Sequence, residues 1–280
     1  MDNYQLTQDQ ITAYGVCLRT EEHTPSTIEK YLRDTRAFAV WLEGRPVTRE
    51  LAAEWRDRLL SSGHKPSTVN SMLAAVNGLF RFLGWGIRVK FLKVQRRLFR
   101  DQSRELTRGE YDLLVNTARA AGKERLALLM EAVCATGVRV SEVKYLTVEA
   151  AQCGRAEIAL KGKIRTILLP NKLCRKLLKY ARKQKIASGE IFLTRSGRSL
   201  SRRQIWAEMK QLCKATGVAS EKVYPHNLRH LFARTFYQAC KDIARLADVL
   251  GHSSIETTRI YLVTTGAEQV RQLDRLGLVS

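Results

Sequence analysis

Apolar residues recur at helical spacing through the first hundred positions. Ile28, Tyr31, Leu32, Phe38, Trp41 and Leu42 make one stripe, and Val69, Met72, Leu73, Val76, Leu79, Phe80 and Leu83 make a second. Each stripe follows a similar lead-in, His23-Thr24-Pro25-Ser26-Thr27-Ile28 and His64-Lys65-Pro66-Ser67-Thr68-Val69. A proline flanked by Ser or Thr marks a helix start, because its missing N–H is one the first turn leaves unbonded anyway. These segments read as two similar helix starts, not as a true repeat, and the region reads as helices only.

The pattern changes once in the rest of the chain. From Leu106 a new unit opens, with Thr107 and Glu110 at capping-box spacing, and Leu126 to Val133 is apolar enough for a buried helix that Gly137 stops. Leu146-Thr147-Val148, Ala156 to Leu160 and Thr166 to Leu169 have the short, β-branched look of strands, with Lys161-Gly162-Lys163 as a hairpin turn between the last two. From Lys172 onward everything again reads as helix. The expectation is a mainly α fold with one small antiparallel β-sheet in two domains: a helical domain over 1–90, a linker over 91–104, and a mixed α/β domain over 105–280.

Charge sharpens this picture. The 280 residues carry 48 Lys and Arg against 27 Asp and Glu, a formal net charge of +21 and a pI near 10.1, which points to a polyanionic partner. Arg88, Lys90, Lys93, Arg96, Arg97, Arg100 and Arg104 crowd the stretch from Arg88 to Arg104, which runs into the linker, with Asp101 as the single acid. Such a run is either a solvated face or a connector that wraps a phosphate backbone. The best apolar run, Leu126 to Met130, is far short of the roughly 20 residues of a membrane span. The opening Met1-Asp2-Asn3-Tyr4-Gln5 does not read as a signal peptide, so no membrane partner and a cytoplasmic location are expected. Six cysteines, widely spaced and without a C-x-x-C, read as reduced and mostly buried thiols.

Four separated clusters could carry chemistry. In Ala135-Thr136-Gly137-Val138-Arg139-Val140-Ser141-Glu142, the helix stop leaves Arg139 in a connection where its planar fork can meet a phosphate. The hairpin turn offers Lys161 and Lys163 on long stems, a suitable form for a proton donor. In Pro225-His226-Asn227-Leu228-Arg229-His230, His226 and Arg229 are three apart and share a helix face, while Leu228, Leu231 and Phe232 point to the core. In Leu250-Gly251-His252-Ser253-Ser254-Ile255-Glu256-Thr257-Thr258-Arg259-Ile260-Tyr261, Gly251 suits a helix end, and Ser253 with Glu256 opens a new helix that carries Tyr261 about two turns on.

In order and spacing the clusters match one family: the chain resembles the tyrosine recombinases, also called phage integrases. Asn227 stands where Asp is more usual in that pattern. The resemblance implies a helical core-binding domain followed by a catalytic domain, the two clamping DNA. It implies Tyr261 as nucleophile, Arg139 and Arg229 as a clamp on the non-bridging oxygens, and His226 as acid/base partner. It further implies a hairpin lysine, Lys161 by preference for its place at the strand end, as donor to the departing 5′ oxygen. His252 would bond the phosphate, Glu142 would orient its neighbours, and Lys163 with the linker residues would contact DNA.

Such a site forms a 3′-phosphotyrosine without metal, ATP or cofactor. Strand exchange between two duplexes then implies a homo-oligomer, a tetramer by expectation, with Val270, Leu273 and Leu276 of the tail packing between subunits. Two rivals remain at this point: a helix-turn-helix repressor using Ile243 to Leu262, and a type IB topoisomerase with the same chemistry. A metal-dependent nuclease is disfavoured because no carboxylate cluster stands at ligand spacing.

Overall fold

The computed structural model describes residues 4–94, 102–160, 163–252, 254–261, 270–271 and 274–276. Lys161, Arg96, Arg97, Arg100, Ser253 and Leu273 lie outside them. The chain divides into two compact units, Met1–Arg96 and Arg97–Ser280.

Among the described residues the first unit holds four helices: α1 (Gln8–Thr20), α2 (Pro25–Leu42), α3 (Arg49–Ser61) and α4 (Pro66–Phe82). Proline occupies the first turn of α2 and of α4, and Thr7 and Thr48 cap α1 and α3 through their side chains. The predicted stripes turn inward. Phe38, Val69, Leu73, Val76 and Phe80 are fully buried, each side chain contributing roughly 1.5–3 kcal/mol of transfer free energy. Phe38 meets the rings of Trp55 and Phe80 edge-on at 5.0 and 5.7 Å.

The expectation of helices only fails after α4. Residues 85–94 form neither helix nor strand, and α4 offers their backbone two side-chain amides: Asn77 exchanges both hydrogen bonds with Val89 at 2.9 Å, and Asn70 does the same with Leu92 at 2.9 and 2.8 Å. Each asparagine replaces a neighbouring strand, and Ile87 and Val89 fill the core.

In the second unit, α5 (Arg108–Ala120) starts with the predicted Thr107–Glu110 capping box and packs on α6 (Glu124–Thr136). Leu126 through Met130 are all buried, as a helix apolar on every side requires. Gly137 ends α6 at φ +66°, and a Cβ there would stand 2.5 Å from Phe232, so both conformation and space exclude a side chain. A 3-10 turn (Val140–Tyr145), α7 (Val148–Cys153), β1 (Arg155–Leu160), β2 (Lys163–Leu168) and α8 (Asn171–Lys183) follow. Then come α9 (Arg202–Thr216), α10 (Pro225–Cys240), α11 (Ile243–Leu250) and α12 (Ile255–Arg259). The fold is mainly α with a two-stranded antiparallel sheet, as the pattern implied.

Five local readings are corrected. Leu146-Thr147-Val148 is no strand: Thr147 caps α7 by accepting from the Ala150 N–H, and only a lone bridge to Glu190 remains. Lys163 is not in the turn but pairs with Leu160, so β2 begins three residues earlier than expected. The chain after Lys172 is not all helix, since 186–200 is irregular. The N-cap of α12 is Ser254, and α12 ends before Tyr261. Of the six free cysteines only Cys174 is buried, with Cys153 and Cys240 exposed. Among the described residues no helix is long and apolar enough to cross a membrane.

Candidate active site

Helix α6 ends at Gly137 and delivers Arg139 into the 3-10 turn, where Glu142 holds it twice. Glu142 accepts from the Arg139 backbone N–H at 2.8 Å and from its guanidinium at 2.9 Å. The carboxylate is 2% exposed while the Arg139 side chain is 37% exposed. Glu142 also takes Arg165, from β2, at 2.5 Å. Burial alone would raise the Glu142 pKa, but the backbone N–H of Arg139 and the two guanidinium groups hold it below the ordinary carboxylate value.

Arg229 lies on α10 and is 1% exposed. Of the two residues expected to share a helix face, His226 is exposed and Arg229 is buried. Arg229 donates to the carbonyls of Gly137 and Leu250, the latter at 2.8 Å, and to Nε2 of His252 at 3.0 Å, while its Nε is buried without a hydrogen-bond partner. Both carbonyls belong to helix ends that a left-handed glycine terminates, so the two glycine motifs of the sequence meet on one guanidinium. Burial pulls the Arg229 pKa to about 10, Arg139 adds to the fall, and Tyr261 acts the opposite way.

Because an arginine only donates, Nε2 of His252 is the acceptor, and Nδ1 carries the proton toward Thr258 Oγ1 at 2.9 Å. Burial and the nearby Arg229, Arg139 and Arg165 bring the His252 pKa to about 4, so the ring is neutral at neutral pH. A hydrogen bond from Nε2 to a phosphate would need a proton on that nitrogen as well.

Tyr261 follows α12, its N–H bonded to the Thr258 carbonyl at 3.0 Å. Its ring is 5% exposed, stacked beside His252 at 6.0 Å and edge-on to His230 at 4.8 Å. His230 in turn meets His226 edge-on at 4.7 Å. Desolvation on its packed side, with Arg229, Arg139 and Arg202 adding to it, lowers the pKa of His226 even though part of the residue meets water, and burial brings His230 to about 4 with positive neighbours adding to it. Asn227, 2% exposed, donates to the carbonyls of Arg104 and Lys222, bonds that an ionised aspartate could not make.

Arg139, Glu142, His226, Arg229, His252 and Tyr261 thus gather in one place. Lys161 lies outside the described residues, and Lys163 stands at the first position of β2. Arg88, Lys90 and Lys93 are exposed along the segment after α4. Sequence reasoning missed Arg165, Thr258 and His230. Thr258 and His230 sat inside the motifs, but Arg165 had no motif and fell just before the expected strand, and only the structure puts it at an inward position of β2. It also missed a groove in the first unit, lined by Lys30, Arg33, Ser67, Thr68 and Ser71, where buried Asp34 holds Lys30 and Arg33 at 2.8 and 2.9 Å. A helix-turn-helix reading of Ile243 to Leu262 is not favoured: α12 has five residues and Thr258 faces His252, fully buried.

Residues 104–267 match the phage integrase family and residues 11–86 match the phage integrase N-terminal SAM-like domain. The chain is 31% identical to tyrosine recombinase XerC of Roseiflexus castenholzii, covering 90% of this chain and 88% of that one. It is 26% identical to tyrosine recombinase XerA of Pyrococcus furiosus, covering 98% and 96%. In fold it is similar to a lambda integrase tetramer bound to a Holliday junction, with a TM-score of 0.74, 19% identity, and 93% and 78% covered.

Proposed function

Because the chain belongs to the phage integrase family, we propose that it works as a site-specific DNA recombinase whose nucleophile is Tyr261. It is a tyrosine recombinase, a DNA strand transferase. The observation that carries the residue assignment is the convergence of Tyr261, His252, Arg229 and Arg139 from three separate stretches of chain onto one place.

The chemistry follows from the groups. The Tyr261 oxygen attacks the scissile phosphorus, a P–O ester to the phenol forms, and the bond to the 5′ oxygen breaks, leaving a 3′-phosphotyrosine. His226, neutral at neutral pH by its lowered pKa, takes the phenolic proton. The departing 5′ oxygen takes a proton from a hairpin lysine, Lys161 by preference or Lys163. Arg139, open to solvent, and Arg229, with its unmatched Nε, stabilise the charge that grows on the non-bridging oxygens, roughly a hundredfold to a thousandfold each. His252 and Glu142 keep the two guanidiniums in place.

Because the ester energy is conserved, a 5′ hydroxyl from a second strand reverses the step, with no need of metal or ATP. The partner is a double-stranded recombination site on cytoplasmic DNA. The working unit is a homo-oligomer, a tetramer across two duplexes, joined in part by the tail that carries the exposed Val270 and Leu276. Organisation as a core-binding domain over 1–90, a basic linker over 91–104 and a catalytic domain over 105–280 belongs to the same reading. Arg88, Lys90, Lys93, Arg96, Arg97, Arg100 and Lys163 contact the phosphate backbone.

The test begins with duplexes that the native chain selects from a random-sequence pool. Placing nicks in those duplexes makes suicide substrates. The native chain leaves a denaturant-stable protein–DNA band that chelators do not suppress, and Tyr261→Phe binds the same DNA but leaves no band. A band of undiminished strength from Tyr261→Phe refutes the assignment.

A further inference from the structure

The hairpin runs against its own polarity. In β2 the apolar Ile164 and Leu168 are 81% and 76% exposed, while the charged Arg165 between them is turned inward, opposite buried Ile158, with 15% of its side chain exposed. A desolvated guanidinium is unfavourable unless its partners are specific, and these partners belong to the candidate active site. One Arg165 nitrogen reaches the Glu142 oxygen that also accepts from the Arg139 backbone, and another donates to the Val249 carbonyl at 3.3 Å. The stem then crosses Gly251 so closely that a Cβ there would stand 2.4 Å from Arg165 Cδ. Glycine at 251 therefore serves two needs, the left-handed helix end at φ +63° and the passage of this side chain.

We infer that Arg165 is a positioning residue for the strand-cleavage step: through Glu142 it holds Arg139 in its phosphate-facing pose, and across Gly251 it braces the end of α11 that leads into His252. The inference rests on the proposed recombinase function and extends it to a residue outside the sequence motifs. Glu142 alone has one flank. With Arg165 on the other, its carboxylate is pinned between two cations and cannot rotate with the exposed Arg139 side chain. A second tie, from the Tyr145 hydroxyl to the Ala159 carbonyl at 2.5 Å, fastens the same 3-10 turn to β1, so both strands are bonded to the Arg139 turn.

A purely structural brace would also cost stability, so the experiment reads chemistry. Single-turnover cleavage of the nicked suicide substrate is measured at saturating protein for the native chain, Arg165→Met, Arg165→Lys, Glu142→Gln and the double variant Arg165→Met/Glu142→Gln. Each is assayed below its own melting temperature, with DNA affinity and its salt dependence alongside. Arg165→Met cleaves about tenfold to a hundredfold more slowly, the range for residues that orient a ligating side chain, with affinity within about twofold. Arg165→Lys, which keeps the charge and tests the site if the Met variant does not fold, recovers part of the rate. The double variant is no slower than the slower single one, because both act through one carboxylate.

Multiplied rather than shared losses would overturn the inference. So would full-speed cleavage by Arg165→Met, or a drop in affinity with a shallower salt slope, which would make Arg165 a phosphate contact. A 5′-bridging phosphorothiolate, whose thiolate leaves without a proton, gives the last control. The Arg165→Met defect persists on it, and rescue would assign Arg165 to the proton donor of the hairpin instead. Native cleavage and its loss in Tyr261→Phe, run in the same series, separate a failure of the enzyme reading from a failure of this one.

Discussion

Replacing Thr258 by valine keeps the shape of a fully buried side chain and removes one oxygen. That oxygen is what the Nδ1–H of His252 meets at 2.9 Å, and it is the reason Nε2 faces Arg229 as an acceptor at 3.0 Å. In Thr258→Val the imidazole has two poor choices. It keeps its tautomer with a buried, unsatisfied donor, or it moves the proton to Nε2 and sets N–H against N–H of Arg229. Leaving a buried donor unpaired costs about 1–3 kcal/mol. For a domain of this size about 2 kcal/mol corresponds to a fall of about 4–8 °C in melting temperature.

The effect on chemistry is separable from that loss. Arg229 is oriented by two carbonyls and one imidazole, and losing the imidazole loosens one of three restraints on the guanidinium. Single-turnover cleavage is expected to slow about tenfold to a hundredfold, with DNA affinity unchanged because Thr258 is out of reach of solvent. Thr258→Ser, which retains the oxygen, restores the rate even where the missing methyl lowers stability. The assay is suicide-substrate cleavage followed by denaturing gel, beside thermal unfolding of the same preparations. Cleavage within twofold of native in Thr258→Val, or a Ser variant as slow as the Val variant, would refute the tautomer argument.

Other outcomes follow from the same geometry. His230 and His252 titrate near 4 in the folded chain against about 6.5 unfolded. Each therefore contributes stability that is complete above about pH 6.5 and drains as pH falls toward 4, at most about 3 kcal/mol apiece; urea midpoints that stay flat from pH 7 to 4.5 would contradict this. Gly137→Ala forces a left-handed alanine into the Phe232 ring and is expected to cost about 2–5 kcal/mol, read as a lower urea midpoint. Arg139→Ala should lower cleavage about a hundredfold to a thousandfold with little change in melting temperature, since its side chain is the exposed member of the pair with Glu142. Arg88→Ala and Lys90→Ala should each reduce the slope of log affinity against log salt by about 1, equally on any DNA sequence.

The helices and most candidate residues were legible because local signals set them. Pro25 and Pro66 announce two helix starts, the Thr107–Glu110 pair a third, and Gly137 and Gly251 two ends. Short-range chemistry also misled. Leu146-Thr147-Val148 has strand composition, but one Thr147 hydroxyl capping α7 outweighs it. The segment after α4 falls where helices are expected, but two asparagines seven residues apart on α4 hold its backbone instead, and no window of residues around 85–94 contains them.

What the order of residues determined by itself was the identity of the chemical groups and their local frames: which arginine follows a helix stop, which histidine follows a glycine, which tyrosine follows both. Tertiary structure decided which groups are spent on one another. Arg229 and His226 look equivalent as neighbours on a helix, yet packing of α10 against α6 and the α11 end buries the first among carbonyls and leaves the second in water. Arg165 precedes the strand that the residue pattern marked, yet pairing of β2 with β1 beside the Arg139 turn makes it the second counter-ion of Glu142. The reason is that burial and hydrogen-bond pairing depend on the distance between residues such as 142 and 165, or 137 and 229, and that distance exists only once the chain has closed on itself.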